Sequence, residues 1–160
     1  MKGQIFILGA MGIVLALFMI IPTIQKEIYL PNTDNSMLKN IAGEYNYWIA
    51  YSSIGGSSEI LDFGTFVKEN YPNMEFFYVY TEGNNLKVAN FFDEEMGFSV
   101  NGDNFSIKSN QSIETSFSSE LDFSSDYRNF KYIPENEFSG AIFLRVDKGI
   151  ARIQLLEIFE

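Results

Sequence analysis

Hydrophobic and polar positions change their spacing twice along this chain. From Ile5 to Ile21 a run of seventeen residues contains no charge. At about 1.5 Å rise per residue it makes roughly 26 Å of apolar helix, close to the hydrocarbon thickness of a bilayer. Thr23 and Ile24 extend the run past Pro22, which lacks an N–H and kinks or ends a helix there. Lys26 to Thr33, with Pro31, reads as a connector. Met37, Leu38, Ile41, Ala42, Tyr45, Trp48 and Ile49 then recur at three- and four-residue spacing, the signature of a helix with one buried face. Asp34, Asn35 or Ser36 is placed to cap it. Gly55-Gly56 breaks the pattern, and a second helix capped by Ser57 or Ser58 carries Ile60, Phe63, Phe66 and Val67 inward until Tyr71-Pro72-Asn73 stops it. Gly64 weakens this helix.

From Glu75 the period shortens. Phe76 to Tyr80 is a β-branched and aromatic run of strand length, and Glu82-Gly83-Asn84-Asn85 turns it into the alternating segment Leu86 to Phe92. Further strands are predicted at Phe98 to Val100, Phe105 to Ser109 after Asn101-Gly102-Asp103, and Ile113 to Phe117. Ala141 to Val146 and Ile150 to Ile158 follow, joined through Asp147-Lys148-Gly149. Between Ser118 and Glu137 polar residues interrupt Leu121, Phe123, Tyr127 and Phe130, which predicts a long surface loop anchored by aromatics, and hence a contact surface. Strands that follow helices, without alternating with them, indicate an antiparallel α+β domain. The expected build is an N-terminal transmembrane helix within residues 1–25, then a head over 26–160. In the head, two short helices pack as a hairpin-like unit on an antiparallel sheet or a small β-sandwich.

A cleaved secretory signal shares the basic start and apolar core, but its core is shorter and a small-x-small site should follow it. Ile21-Pro22-Thr23-Ile24-Gln25-Lys26 offers none, so the run reads as a retained, single-pass helix. Lys2 and the amino terminus precede it, whereas Lys26 is followed at once by Glu27. The positive-inside rule then places the head outside the cytoplasm.

Lys2-Gly3-Gln4, set directly against the apolar run, resembles the cleavage region of archaeal type IV pilin-like proteins. The resemblance covers about the first quarter of the chain. It implies a cut by a prepilin peptidase between Gly3 and Gln4, leaving Gln4 as the mature N-terminus. It also implies a long N-terminal helix joined to a β-rich head, the helices packing together with those of other pilin-like subunits. Many pilins carry glutamate four residues after the first mature residue, where this chain has Leu8; the glutamine-serine-glutamate pattern of archaeal leaders is broken by Phe6 and Leu8. These departures point to a minor-pilin-like or simply anchored surface protein.

Composition narrows the chemistry. Lys plus Arg number 11 against 21 Asp plus Glu, a balance that disfavours nucleic acid and anionic headgroups as partners. No cysteine and no histidine occur. Their absence removes thiolate nucleophiles, disulfides, zinc-thiolate and histidine metal sites, and the usual general base. Carboxylate chemistry or a serine-lysine pair remains, without a supporting motif, and the expectation is a non-enzymatic protein with no cofactor and no metal site. Asp122, Asp126 and Asp93-Glu94-Glu95 have the oxygen ligands calcium accepts, though as an acidic domain's solvated charges they need no such role. Tyr45, Trp48 and Tyr51 read as core packing or as a ligand-stacking cluster. Asn104-Phe105-Ser106 and Asn110-Gln111-Ser112 are glycosylation acceptors if the head is outside.

Gly12 and Ala16 form a small-xxx-small pair that admits a second helix at close range; lipid contact is the alternative for both. If they pack, Gly12→Leu and Ala16→Leu each remove about 1 kcal/mol per interface. Cross-linked multimers in membranes should then fall in yield, and unchanged cross-linking in both variants would leave a lone lipid-facing anchor.

Overall fold

Strand β1 (Met74–Glu82) is the centre of the head, and it is apolar on both faces. Phe76, Tyr78 and Tyr80 point to one side, Phe77 and Val79 to the other, and all are buried. A strand so composed must be covered twice. The computed structural model describes residues 33–53, 60–149 and 151–159, all within one compact unit. It supplies both covers. The apolar run with Gly3, Gln4, Gly12 and Ala16 lies outside the described residues, as do Ser57, Ser58 and the Gly55-Gly56 turn. Among the described residues no helix is long and apolar enough to cross a membrane.

The described residues form an α+β head of two helices and two antiparallel sheets. β1 forms a hairpin with β2 (Asn85–Asn90), and Gly83 takes the positive φ of 56° that the two-residue turn requires. On its other side β1 pairs along its length with β8 (Phe138–Lys148), which pairs in turn with β9 (Ala151–Phe159). β5 (Gln111–Ser116) closes the far edge, giving the order β5-β2-β1-β8-β9. The second sheet orders β4 (Asp103–Ile107), β3 (Met96–Val100), β6 (Leu121–Ser125) and β7 (Asn129–Tyr132). Its inner side chains, among them Phe98, Leu121, Phe123 and Phe130, pack on Phe77, Val79 and Phe143 of the first sheet. Phe77 and Phe123 stack at 5.5 Å across the two layers.

The opposite face is covered by α1 (Thr33–Ser53) and α2 (Ile60–Asn70). Leu38, Ile41, Ala42, Tyr45 and Ile49 of α1 are buried as their spacing predicts. The helix starts at Thr33, so Asp34, Asn35 and Ser36 all lie in its first turn and not ahead of it. In α2, Phe63 and Val67 are buried but Phe66 is 52% exposed, against expectation. At about 100° per residue Phe66 lies some 100° from Val67, on the flank of the stripe that Phe63, Gly64 and Val67 share. Gly64 is explained by contact: a Cβ there would overlap the Phe91 ring, so the glycine lets α2 lie directly on it.

The region between Ser118 and Glu137 is not a long surface loop. It contains β6 and β7, with Leu121, Phe123, Phe130 and Tyr132 buried at alternate positions. The intervening Asp122, Lys131 and their neighbours face solvent because this sheet is the outer layer. Predicted boundaries shift elsewhere. β4 begins at Asp103, since Asn101 and Gly102 form the turn at positive φ, and β2 ends at Asn90. Beyond that end Phe91 and Phe92 diverge into the two cores. The buried Asn90 amide fixes the divergence by donating to the carbonyls of Glu94 and Ile107 and accepting from the N–H of Phe92. A second buried polar group joins the sheets: Thr81, Ser139 and Tyr132 share hydrogen bonds of 2.6 and 3.2 Å through the Ser139 hydroxyl.

Phe123 decides between strand and loop. With no exposed surface and rings of Phe77, Phe98 and Phe130 around it, Phe123→Ala should destabilise the head by about 3–5 kcal/mol in urea unfolding. A loss below about 1 kcal/mol would return the segment to the surface.

Candidate functional site

α1 lies over β8 and β9, and α2 over β2 and β5, so the two helices straddle β1. Between them an open groove of about 290 Å³ is lined by five aromatic side chains and two carboxylates. α1 contributes Glu44, Tyr47, Trp48 and Tyr51, which fall on one helical face at three- and four-residue spacing. α2 contributes Asp62, Phe63 and Phe66.

Depth follows from burial. Phe63 is buried and Trp48 half-buried, while Tyr47, Tyr51 and Phe66 are 69, 53 and 52% exposed. Trp48 lies edge-on to Tyr78 and Tyr80, at 6.3 and 5.4 Å, and Phe63 meets Tyr78 edge-on at 5.5 Å. Behind them the Tyr45 ring contacts both Trp48 and Phe63, and its hydroxyl donates to the Val79 carbonyl at 2.7 Å. The Trp48 Nε1–H is buried and has no hydrogen-bond partner among the described residues. The indole therefore serves the groove through its ring and its area. The carboxylates of Glu44 and Asp62 stand on exposed positions of the lining.

The sequence cluster Tyr45, Trp48 and Tyr51 thus divides: Tyr45 is core, Trp48 is the inner wall of the groove, and Tyr51 is its rim. Sequence reasoning placed Phe66 in the core and did not single out Tyr47, Glu44 or Asp62. Tyr47 was recoverable as an aromatic one position ahead of Trp48 on the flank of the same stripe.

The other candidates are dispersed. Asp93 pairs with Lys68 at 3.3 Å, the Glu95 carboxylate accepts from the Ser106 hydroxyl, and Asp126 accepts from the Gly97 N–H at 2.7 Å. Asp122 lies 3.9 Å from Lys131, which also pairs with Glu120 at 3.0 Å. Among the described residues no three acids stand together in a way that would hold a metal ion. Asn104 is exposed on β4, an edge strand, and Asn110 is exposed in a turn at a φ of 56°. Arg145 does structural work. It pairs with Glu75 at 2.5 Å and lies over the Phe92 and Tyr127 rings, which stack at 3.8 Å and hold the β6–β7 turn against the first sheet.

Comparison with protein-family models, with curated proteins and with solved structures returns no match.

The tyrosines behind the groove resist ionisation. Burial raises the Tyr45 hydroxyl far above its ordinary value, and the neighbouring Tyr78 adds to the effect. Burial likewise raises Tyr78, against a lowering backbone hydrogen bond from Gly64. Tyr80 is pushed up to about 12 by burial and then by Glu82 and Glu137. The unfolded chain releases these protons near pH 10, while the folded head retains them. Stability contributed by these groups is therefore complete below about pH 10 and falls as pH rises above it. Tyr45 and Tyr78 should each steepen the fall by up to about 1.4 kcal/mol per pH unit. Urea midpoints on either side of pH 10, compared between the native chain and Tyr78→Phe, test this: the native midpoint should drop more. Equal drops would mean that the Tyr78 hydroxyl titrates freely in the folded head.

Proposed function

We propose that this protein is a non-enzymatic surface subunit, pilin-like or minor-pilin-like, held in the cell membrane by a single N-terminal helix with its head outside the cytoplasm. The observation that carries the reading is a juxtaposition within one chain. An uncharged run long enough to span a bilayer is followed by an α+β head whose core is closed by its own helices and sheets. A head with its own core needs nothing from the anchor to fold, which leaves the anchor's surface available for lipid or for neighbouring helices. In this reading Gly3 and Gln4 flank a prepilin peptidase cut, Gly12 and Ala16 form the packing strip, and Asn104 and Asn110 are accessible acceptors for sugar.

The groove favours a second reading, a stand-alone single-pass protein whose head binds a ligand. Five aromatic residues around one opening, three of them more than half exposed, exceed what covering β1 requires.

Two measurements separate these readings from their rivals. Protease added to intact cells should digest the head; protection until lysis would reverse the orientation. Mass spectrometry of the native protein should find Gln4 at the N-terminus. A terminus at Met1 or Lys2, in cells that possess the peptidase, removes the pilin-like reading and leaves the anchored binding protein.

A further inference from the structure

We propose that the groove between α1 and α2 binds the methylated ammonium group of a small organic cation, choline-like in size and net positive in charge. The inference deepens the reading of the head as a binding surface and rests on it. The volume, about 290 Å³, suits a small molecule and not a peptide segment.

Chemistry narrows the class. Most of the lining is aromatic: Trp48 and Phe63 deep in the groove, Tyr47, Tyr51 and Phe66 around its mouth. Aromatic faces carry negative quadrupole density and attract a cation placed over them, tryptophan most strongly. Glu44 and Asp62 add formal negative charge on both helices, in a chain whose net charge is −10. An anion would meet this field unfavourably. A neutral apolar ligand would gain area but nothing from the carboxylates. A primary ammonium or a guanidinium brings several N–H donors for which the rings offer no good acceptor, so it must keep its water or turn to the two carboxylates at the cost of contact with the rings. A methylated ammonium has no donors to satisfy, presents an apolar surface to the rings, and keeps its charge. The groove matches that combination.

Trp48 is the one tryptophan in the chain, so its fluorescence reports the groove directly. The full-length protein in a nonionic detergent would be titrated with tetramethylammonium, with choline, with soluble phosphocholine, and with the neutral isostere of choline in which carbon replaces nitrogen. The two cations should shift the emission saturably and show saturation transfer to their methyl protons. The neutral isostere should bind roughly tenfold more weakly. Phosphocholine should bind more weakly than choline, because its phosphate faces the same carboxylates. Glu44→Gln and Tyr51→Ala should each weaken choline by about three- to tenfold. Both positions are exposed, so their urea midpoints should stay unchanged.

Equal affinity for choline and its neutral isostere would overturn the proposal in favour of a plain apolar groove. Tighter phosphocholine binding would overturn it in favour of a lipid headgroup site. Absence of both a saturable shift and saturation transfer would overturn it outright. Orientation and leader processing do not enter this titration, so failure here leaves the membrane-held reading standing, and failure there leaves the binding result intact.

Discussion

The fold depends on one constraint: β1 places large apolar side chains on both of its faces and so cannot lie at any surface. Each of Phe76, Phe77, Tyr78 and Val79 is fully buried, and burial of such side chains is worth about 1.5–3 kcal/mol apiece. One sheet face must receive helices and the other a second sheet. The helical cover is pinned at Tyr45, whose hydroxyl reaches the Val79 carbonyl. That approach requires Gly140, because a Cβ at that position would stand 2.6 Å from the Tyr45 hydroxyl and 2.7 Å from the Val79 carbonyl oxygen. The glycine in β8 is thus matched to a tyrosine in α1. The match sets how closely α1 approaches the sheet, and hence where the α1 wall of the groove stands.

Much of this could be read from the pattern of residues, and the failures have physical causes. The run Phe76 to Tyr80 was read as a strand, and its lack of alternation fits the burial on both faces that the structure shows, since a half-exposed strand would have alternated. The stripe of α1 was equally plain. The segment from Ser118 to Glu137 was misread because β6 and β7 are only five and four residues long and carry Ser, Asp, Asn and Lys on their solvent side. Leu121 with Phe123, and Phe130 with Tyr132, do alternate. Two apolar positions per strand are too few to separate a short outer strand from a loop with anchors. Of the four aromatic and aliphatic anchors, only Tyr127 lies outside a strand, in the bend between β6 and β7, where Arg145 and Phe92 hold it.

The acidic surplus also finds its place. Several of the basic side chains are engaged by carboxylates: Arg145 by Glu75, Arg152 by Asp147, Lys68 by Asp93, Lys131 by Glu120. The exposed pairs contribute little to stability. Their consequence is electrostatic, since each pair cancels locally and the remaining carboxylates set the sign of the field around the head. Arg145 differs from the rest. Half-buried against two rings, it joins the first sheet to the turn of the second, and its charge is used up inside the structure.

The groove was half legible, and its geometry explains why. Tyr45, Trp48 and Tyr51 are spaced by three residues, and each step of three advances about 300° around a helix, or 60° short of a full turn. The series therefore rotates steadily out of the buried stripe, from a fully buried ring to a half-buried one to an exposed one. A core-packing reading and a ligand-stacking reading each described part of that rotation. What the sequence of α1 could not reveal was the opposing wall, because Phe63 and Phe66 face it only once Gly64 has let α2 down onto Phe91. Stability and recognition are then separable along a single row of rings. The inner end, Tyr45, holds the sheet, the outer end, Tyr51, meets solvent, and Trp48 between them senses both.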